Sequence, residues 1–426
     1  MANSFVLKGN IIYSVSLEEL KEVVNGYIVV IDGKSGGVFT SLDEKYKALP
    51  LYDYKDALIV PGLIDLHIHA PQFGFRGMAL DLELMEWLEK YTFPEEAKFS
   101  EIEYAEKAYS IFVDALRKSA TTRLVVFASR HREATVLLMD KLERSGLISY
   151  VGKVNMDRLA PSPLKEESAE VSEKETRLWL DDIRGRHKNT KPILTPRFVP
   201  SVSDSLMGKL ELIRDEYDLP VQSHLSENPN EIELVKELAP YSRFYGDAYN
   251  HFNLFGGNNN KCIMAHCVYS SEEEIALMAK NHVTVAHCPE SNENLSSGLA
   301  PIRKFLDSSI SVGLGSDIGA GTTESIFFAL TEAIRVSKMY WRLVDDRYKP
   351  LSFKEAFFLA TMGGGKFFGN VGSFMKGYDF DALVLSDENL PSPLELSPSE
   401  RLERFCYLRG DEKGIKSKFV NGVKLF

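Results

Sequence analysis

Two histidines, His67 and His69, lie at the end of a short apolar run at residues 63–68, just after a Pro-Gly turn signal. In a strand, residues i and i+2 share a face, so both imidazoles can bind one metal ion. A pair of hydrogen-bonded core histidines is the structural alternative, because two ligands do not hold an ion. The spacing therefore predicts a metal site only if other parts of the chain supply further ligands.

Three later apolar runs also end in residues that can bind metal, at His224, His266 and Asp317. The carboxyl ends of parallel strands meet at one edge of a sheet or barrel, so these side chains are expected to lie together. His224 and Asp317, added to the first histidine pair, would give three nitrogen ligands and one carboxylate with a position left open for water. That ligand set is typical of a catalytic rather than a structural zinc site.

The residue types also indicate how such a site would work. A bound divalent ion lowers the pKa of its water from about 15.7 to about 7. Glu227, three residues after His224, is a candidate proton carrier between nucleophile and substrate, and a solvent-facing loop acid is its structural alternative. Asp317 can take a proton from the water while it binds the ion. His266 is better placed to hydrogen-bond the nucleophile than to bind metal.

Apolar runs alternate with helical stretches through the middle of the chain, which predicts a parallel sheet. Helix-start signals stand at Asn228, followed by proline and with Glu231 at the third helical position, and at Ser270 with Glu273. Eight such units favour an α/β fold of the (β/α)8 barrel type, and a doubly wound open sheet is the alternative. The eight apolar runs are 63–68, 122–128, 148–156, 192–198, 220–225, 261–268, 283–288 and 311–316.

The two ends of the chain are rich in β-forming residues, and neither has enough strands for a sheet of its own. We expect residues 1–58 and 373–426 to form one small composite β domain that flanks a barrel at 59–372. The polar segment 161–175 is expected to be a mobile excursion ahead of a helix. The triglycine at 363–365 lacks a following Ser or Thr, so close packing or a helix end is preferred over a phosphate loop.

Composition limits the function further. The chain has 426 residues and a net charge of −11, which argues against nucleic acid or an anionic membrane surface as the main partner. No secretory signal and no run of 18 apolar residues is visible, so we expect a cytoplasmic protein. The four cysteines are expected to be reduced packing residues; they are Cys262, Cys267, Cys288 and Cys406.

The candidate site segments resemble a known family. Five segments resemble the nucleobase-deaminase and chlorohydrolase branch of the amidohydrolase superfamily. They are His67-x-His69, His224-x-x-Glu227, Ala265-His266, His287-Cys288-Pro289-Glu290-Ser291-Asn292 and Gly315-Ser316-Asp317. Those that resemble its guanine-deaminating members are His67-Ile68-His69-Ala70-Pro71-Gln72, Pro196-Arg197-Phe198, His224-Leu225-Ser226-Glu227-Asn228 and Leu295-Ser296-Ser297-Gly298. The resemblance covers nearly the whole chain, including the split β domain.

The resemblance implies hydrolytic removal of the 2-amino group of guanine, which gives xanthine and ammonia. It implies one Zn²⁺ held by residues matching His67, His69, His224 and Asp317, with Fe²⁺ also compatible with these ligands. Glu227 would protonate the ring nitrogen next to the attacked carbon. A homodimer is expected by analogy with the family.

The resemblance also assigns substrate recognition, to Gln72, Arg197 and Phe198, beside the ligands and Glu227 that face the base. An arginine fork can donate to O6 and N7 of guanine, and a phenylalanine ring can contact the base face. A salt bridge at the barrel rim and ordinary packing are the structural alternatives for Arg197 and Phe198.

Two features bear on how far the resemblance extends. Binuclear relatives use a modified lysine near the end of the fourth strand, where this chain has Arg197 and no lysine, which favours a single ion. Glu293-Asn294 brings more charge beside the site than the family pattern has.

Another deaminase or chlorohydrolase acting on a different aminopurine, a pyrimidine or a triazine is the alternative enzyme. A barrel kept as a non-catalytic scaffold is the alternative of another class.

Overall fold

The strands of the protein form one mixed sheet and three parallel sheets. The computed structural model describes residues 4–257 and 260–426. In chain order the strands are β1 Phe5–Ser14, β2 Leu20–Ile31, β3 Lys34–Phe39, β4 Leu51–Pro61, β5 Leu63–His69, β6 Thr121–Phe127, β7 Ile148–Gly152, β8 Val154–Asn155, β9 Thr190–Pro192, β10 Thr195–Pro196, β11 Val221–Leu225, β12 Cys262–His266, β13 Thr284–His287, β14 Ser311–Leu314, β15 Ala382–Leu385, β16 Ile415–Val420 and β17 Val423–Lys424.

The helices lie mostly between the parallel strands. They are α1 Leu84–Trp87, α2 Phe93–Ala97, α3 Ile102–Lys118, α4 Arg132–Ser145, α5 Ala169–Asp182, α6 Asp204–Tyr217, α7 Pro229–Leu238, α8 Tyr245–His251, α9 Glu272–Lys280, α10 Pro289–Asn294, α11 Ile302–Asp307, α12 Ile326–Leu343, α13 Phe353–Phe358, α14 Gly364–Phe368, α15 Pro398–Tyr407 and α16 Asp411–Gly414. A π-helical turn at Leu88–Thr92 joins α1 to α2, and another at Leu359–Gly363 joins α13 to α14. Within the described ranges, no helix is both long and apolar enough to cross a bilayer.

Two four-stranded parallel sheets, ordered β5-β6-β7-β9 and β11-β12-β13-β14, form the central part of the molecule, with β8 pairing β10 beside them. Backbone hydrogen bonds connect the two sheets at both junctions: Leu194 donates to the carbonyl of Pro220, and Asp317 donates to the carbonyl of His67, each at 2.9 Å. The sheets enclose an apolar cluster that includes Ile64. The carboxyl ends of the parallel strands therefore meet on one side of the molecule.

The first parallel strand, β5, carries a register irregularity between Asp65 and Ile68 where it pairs with β6. Leu66 packs in the enclosed cluster, while the next residue, His67, faces Asp317 at the end of the strands. A bulge re-aims side chains in this way, because the extra residue breaks the strict alternation of faces. The carboxylate of Asp65 fixes the bulge, accepting from the backbone N–H of His67 and of Ser316, each at 3.1 Å.

The two ends of the chain meet in one seven-stranded sheet, ordered β17-β16-β15-β4-β1-β2-β3. The strands β15 and β4 pair antiparallel, with Ala382 opposite Pro61. The sheet thus continues through Pro61, three residues beyond the 1–58 segment expected from the sequence. Turns at Asp32-Gly33 and Asn421-Gly422 connect neighbouring strands of this sheet.

The predicted apolar runs coincide with parallel strands, although the third and fourth runs are each divided into two short strands. Asn228 caps α7 as predicted, accepting a hydrogen bond from the N–H of Asn230, but Glu231 is buried and makes no capping box. The start predicted at Ser270 was wrong by one residue, because Ser271 caps α9. The triglycine lies within the helical segment 359–368 and packs against strand backbone, as at Gly363 beside the carbonyl of Val312.

Candidate active site

Four predicted ligand side chains converge where the parallel strands end. The Nε2 atoms of His67 and His69 lie 3.2 and 3.4 Å from Oδ1 of Asp317. The Nε2 atoms of His69 and His224 are 3.2 Å apart. All four residues are buried or nearly so, although they are separated by up to 250 positions in the chain. The structure therefore brings together the residues that the sequence analysis selected as ligands.

The chemistry of these donors fits a divalent cation. Nδ1 of His224 donates to the backbone carbonyl of Arg197 at 2.6 Å, which leaves its Nε2 lone pair directed at the cluster. Nε2 of His67 is buried and has no hydrogen-bond partner within residues 4–257 and 260–426. Burial lowers the pKa of His69 and of His224 well below the usual value, so both rings are neutral. Neutral imidazole nitrogens directed at one point beside a carboxylate are what a metal ion needs.

The backbone is strained at the ends of the strands that carry these residues. His266 and Asp317 have positive φ angles of 69° and 48°, a region that non-glycine residues rarely occupy. Ser226, next to Glu227, has a φ of 47°. Such conformations cost of order 1–3 kcal/mol each and persist where the surrounding structure fixes them, which is common at functional sites.

Glu227 and His266 form a second group directly beside the ligands. The carboxyl Oε2 of Glu227 lies 3.5 Å from Nε2 of His266, and its Oε1 accepts from the hydroxyl of Ser297 at 3.3 Å. Nδ1 of His266 donates to Oδ1 of Asn292 at 2.8 Å, which fixes the ring. Glu227 is only 3% exposed, and burial raises the pKa of its carboxyl. Burial thus favours the protonated form of this carboxyl more than exposure in a solvent-facing loop would, which suits a group that carries a proton.

A cavity opens above these groups. Gln72, Arg197 and Phe198 line it together with His69, His224, Glu227, His266 and Asp317. Its remaining lining is apolar and comes from Leu84, Trp87, Leu88, Leu295 and Ala320. The lining thus combines polar groups, which can bind the edge of a heterocyclic ligand, with hydrophobic side chains, which can contact its faces.

Sequence reasoning missed the apolar wall and the residue behind Arg197. Trp87 and Leu88 lie where α1 passes into a π-helical turn. Glu96 follows in α2, one helical turn after that π-helical turn ends. The carboxylate of Glu96 is buried against Arg197 and Gln72. The only signal in the sequence is a mixed apolar and acidic helical stretch, which does not distinguish a pocket wall from an ordinary surface helix.

Cys288 lies beside the candidate metal ligands. Its Sγ belongs to a group with His67, His266 and Asp317 whose candidate ligand atoms lie within 4.8 Å of one another. Burial raises the pKa of the thiol well above its usual value, so it stays protonated and is a poor metal ligand. Like the other three cysteines, Cys288 is buried and free of disulfide bonds.

Comparisons with known proteins agree with this geometry. Residues 58–422 match the model of the amidohydrolase family. A guanine deaminase of Dictyostelium discoideum is 36% identical and aligns over 99% of this chain and 98% of its own. The guanine deaminase of Homo sapiens is 39% identical, over 86% of this chain and 82% of its own.

A solved structure is also closely similar. The crystal structure of guanine deaminase from C. acetobutylicum, with guanine bound in the active site, has a TM-score of 0.96 and 47% sequence identity. The comparison covers 99% of this chain and 100% of that one. The family match spans the converging histidines, Asp317 and the residues that line the cavity. From its sequence and its site, the chain belongs to the amidohydrolase family.

Proposed function

We propose that the protein hydrolyses guanine to xanthine and ammonia. The observation that carries this proposal is the position of Gln72, Arg197 and Phe198 around a cavity that ends on the histidine and aspartate cluster. A guanine deaminase that aligns with this chain over 98% of its own length supports the proposal, as does a 47% identical structure that holds guanine in its active site. Guanine breakdown or salvage is the metabolic setting we infer.

His67, His69, His224 and Asp317 would hold one divalent ion, for which we propose zinc. Their nitrogen and carboxylate donors would bind Fe²⁺ in the same way. When bound, the ion would supply Lewis-acid activation of water at neutral pH. Arg197 stands where a second ion would need a bridging lysine, which supports a single ion.

The protein's own residues would orient guanine and move the protons. The guanidinium of Arg197 would donate to O6 and N7, Phe198 would contact the face of the base, and Gln72 would bind its polar edge. Glu227 would take the proton of the attacking water and deliver it to N3, the ring nitrogen beside C2. The water oxygen then bonds to C2, Asp317 would take the second water proton and pass it to the amino nitrogen, the bond from C2 to that nitrogen breaks, and ammonia leaves. His266, 3.5 Å from Glu227, would hydrogen-bond the attacking water.

The parallel sheets and their junctions support a (β/α)8 barrel, which we assign to residues 59–372. We assign residues 1–58 and 373–426 to a small composite β domain, supported by the sheet that unites β1–β4 with β15–β17. A cytoplasmic location and a homodimer, by analogy with the family, complete the proposal. We propose no nucleic acid or membrane partner, because the net charge of −11 disfavours both.

Ultraviolet detection of xanthine from guanine tests the proposal. Wild type is compared with Glu227→Gln, and with Glu237→Gln as a matched control, because Glu237 is exposed on the same stretch of chain. Glu227→Gln should keep its metal, measured by elemental analysis, and lose about 10²–10⁴ in kcat. The control should match wild type.

The other outcomes separate the alternatives. Equal rates for wild type and Glu227→Gln would refute the role of Glu227 as proton carrier. A metal-loaded wild type that forms no xanthine would refute guanine as the substrate, and a panel of aminopurines, pyrimidines and triazines would then identify another hydrolase. A purified protein free of metal and of activity would favour the non-catalytic scaffold.

A further inference from the structure

A buried carboxylate, Glu96, connects two of the recognition residues from behind the pocket. Its Oε2 and Oε1 accept from Nη1 and Nη2 of Arg197 at 2.5 and 3.1 Å. Its Oε1 also accepts from Nε2 of Gln72 at 2.9 Å. Glu96, Arg197 and Gln72 are each 3% exposed or less. Arg197 and Gln72 line the cavity, whereas Glu96 lies behind them.

The surrounding elements fix this group of three side chains. Glu96 belongs to α2, and Phe93 from the same helix lies under the guanidinium of Arg197, with its ring centroid 5.3 Å from Cζ. Gly319 has a φ of +115°, and a Cβ added there would lie 2.2 Å from Oε1 of Gln72. Gln72 is therefore held between a carboxylate on one side and glycine backbone on the other.

The chemistry of the carboxylate determines what the two residues can offer a base. An ionised carboxylate only accepts hydrogen bonds, so the amide of Gln72 must turn its nitrogen toward Glu96 and its oxygen away. The bidentate contact also holds the planar guanidinium of Arg197 in one orientation. Gln72 is then left with an acceptor and Arg197 with donors. Guanine carries a matching set, with the acceptors O6 and N7 and the donors at N1 and the 2-amino group.

We propose that Glu96 is a positioning residue that fixes the donor and acceptor pattern of the base pocket, and so determines specificity for a 6-oxopurine. The proposal rests on the proposed function, since it assumes that guanine occupies this cavity. Glu96 does not touch the reacting atoms, so it acts on binding of the base. Its loss should weaken guanine binding much more than it slows the chemical step.

Glu96→Gln tests this, because the amide keeps the shape of the side chain while its NH₂ group opposes the donors of Arg197 and Gln72. In metal-loaded protein we expect KM for guanine to rise at least about tenfold with kcat changed less than about threefold. Glu96→Asp retains the charge and should recover part of the loss. Glu89→Gln is the matched control, because Glu89 is exposed on the π-helical turn that precedes α2.

A binding measurement separates recognition from turnover. Rapid mixing of guanine with metal-loaded Glu227→Gln protein gives Kd before the slowed conversion consumes the base. Adding Glu96→Gln to that protein should raise Kd at least about tenfold, and adding Glu89→Gln should leave it unchanged. Thermal unfolding and metal content of each variant show whether the fold and the ligands are intact.

The outcomes are distinguishable from failure of the proposed function. If wild type forms no xanthine, the function itself is refuted. If wild type is active and Glu96→Gln has the KM and Kd of wild type, the role of Glu96 is refuted. A fall in kcat with unchanged KM, or loss of folding in both Glu96→Gln and Glu96→Asp, would assign Glu96 to catalysis or stability and would equally overturn the proposal.

Discussion

Glu231 illustrates how a single side chain can depart from its apparent role. Four residues after Glu227, it has the position of a helix-capping acid, yet it is 1% exposed and neither carboxyl oxygen has a hydrogen-bond partner among the described residues. Burial and the nearby Glu227 raise the pKa of Glu231 to about 8. Its carboxyl is therefore largely protonated at neutral pH in the folded protein.

This raised pKa makes the stability of the protein depend on pH. The unfolded chain ionises Glu231 near its usual pKa of 4.5, whereas the folded chain keeps the proton until about pH 8. The contribution of Glu231 to the free energy of unfolding therefore falls as pH rises between these values, by on the order of 1 kcal/mol per pH unit. Above pH 8 this contribution no longer changes. Glu231→Gln should match wild type near pH 5 and be more stable at pH 8, measured by urea unfolding at both pH values. An equal difference at the two pH values would contradict this assignment.

At the scale of elements, the segment between β8 and α5 is held in place rather than free. The sequence predicted a mobile excursion at 161–175, but α5 begins at Ala169 and a buried ion pair fixes the residues before it. Nζ of Lys153 lies 2.6 Å from Oε1 of Glu166, whose other oxygen accepts from the N–H of Met156 at 3.0 Å. Leu164 is fully buried in the apolar cluster that contains the cavity wall.

Breaking this ion pair should loosen the segment and the wall that packs on it. Glu166→Gln leaves the ammonium of Lys153 buried without its counter-charge, which typically costs about 3–5 kcal/mol of stability. We expect a lower midpoint of thermal unfolding and faster proteolytic cleavage within 157–168. The adjacent Glu167 is exposed, so Glu167→Gln is the control and should behave as wild type. Unchanged cleavage of Glu166→Gln would show that packing alone holds the segment.

At the scale of the whole molecule, one arginine connects the sheet of the chain ends to the parallel strands. Arg123 of β6 donates from Nε to Oδ2 of Asp381 at 2.6 Å and from Nη2 to Asp379 at 3.3 Å. Asp381 also accepts from the N–H of Asn421 at 2.7 Å. The contact thus joins residues more than 250 positions apart in a site from which water is nearly excluded.

Removing the charge of Asp381 should weaken this connection more than removing that of Asp379. Asp381 is 2% exposed, so Asp381→Asn leaves the charge of Arg123 buried beside a neutral side chain. This should cost about 3–5 kcal/mol of unfolding free energy. The side chain of Asp379 is 28% exposed, so Asp379→Asn should cost about 1 kcal/mol or less. Urea unfolding of the two variants measures the difference, and equal losses would argue against the buried connection.

The sequence by itself determined the positions of the parallel strands and the set of candidate metal ligands. Strands are visible because their apolar runs are local, and the ligands are visible because several histidines and an aspartate stand together at the ends of such runs. The predicted convergence of His67, His69, His224 and Asp317 is met in the structure because the carboxyl ends of parallel strands meet on one side.

Only the tertiary structure decided what surrounds those ligands. The register shift in β5, the π-helical turn that brings Glu96 to Arg197, and the burial of Glu166 and Glu231 all depend on partners from other elements. Glu96 and Arg197 are 101 positions apart, and no local pattern distinguishes that carboxylate from its exposed neighbours. Burial and pairing of charges are properties of packing, so they become visible only once the chain is folded.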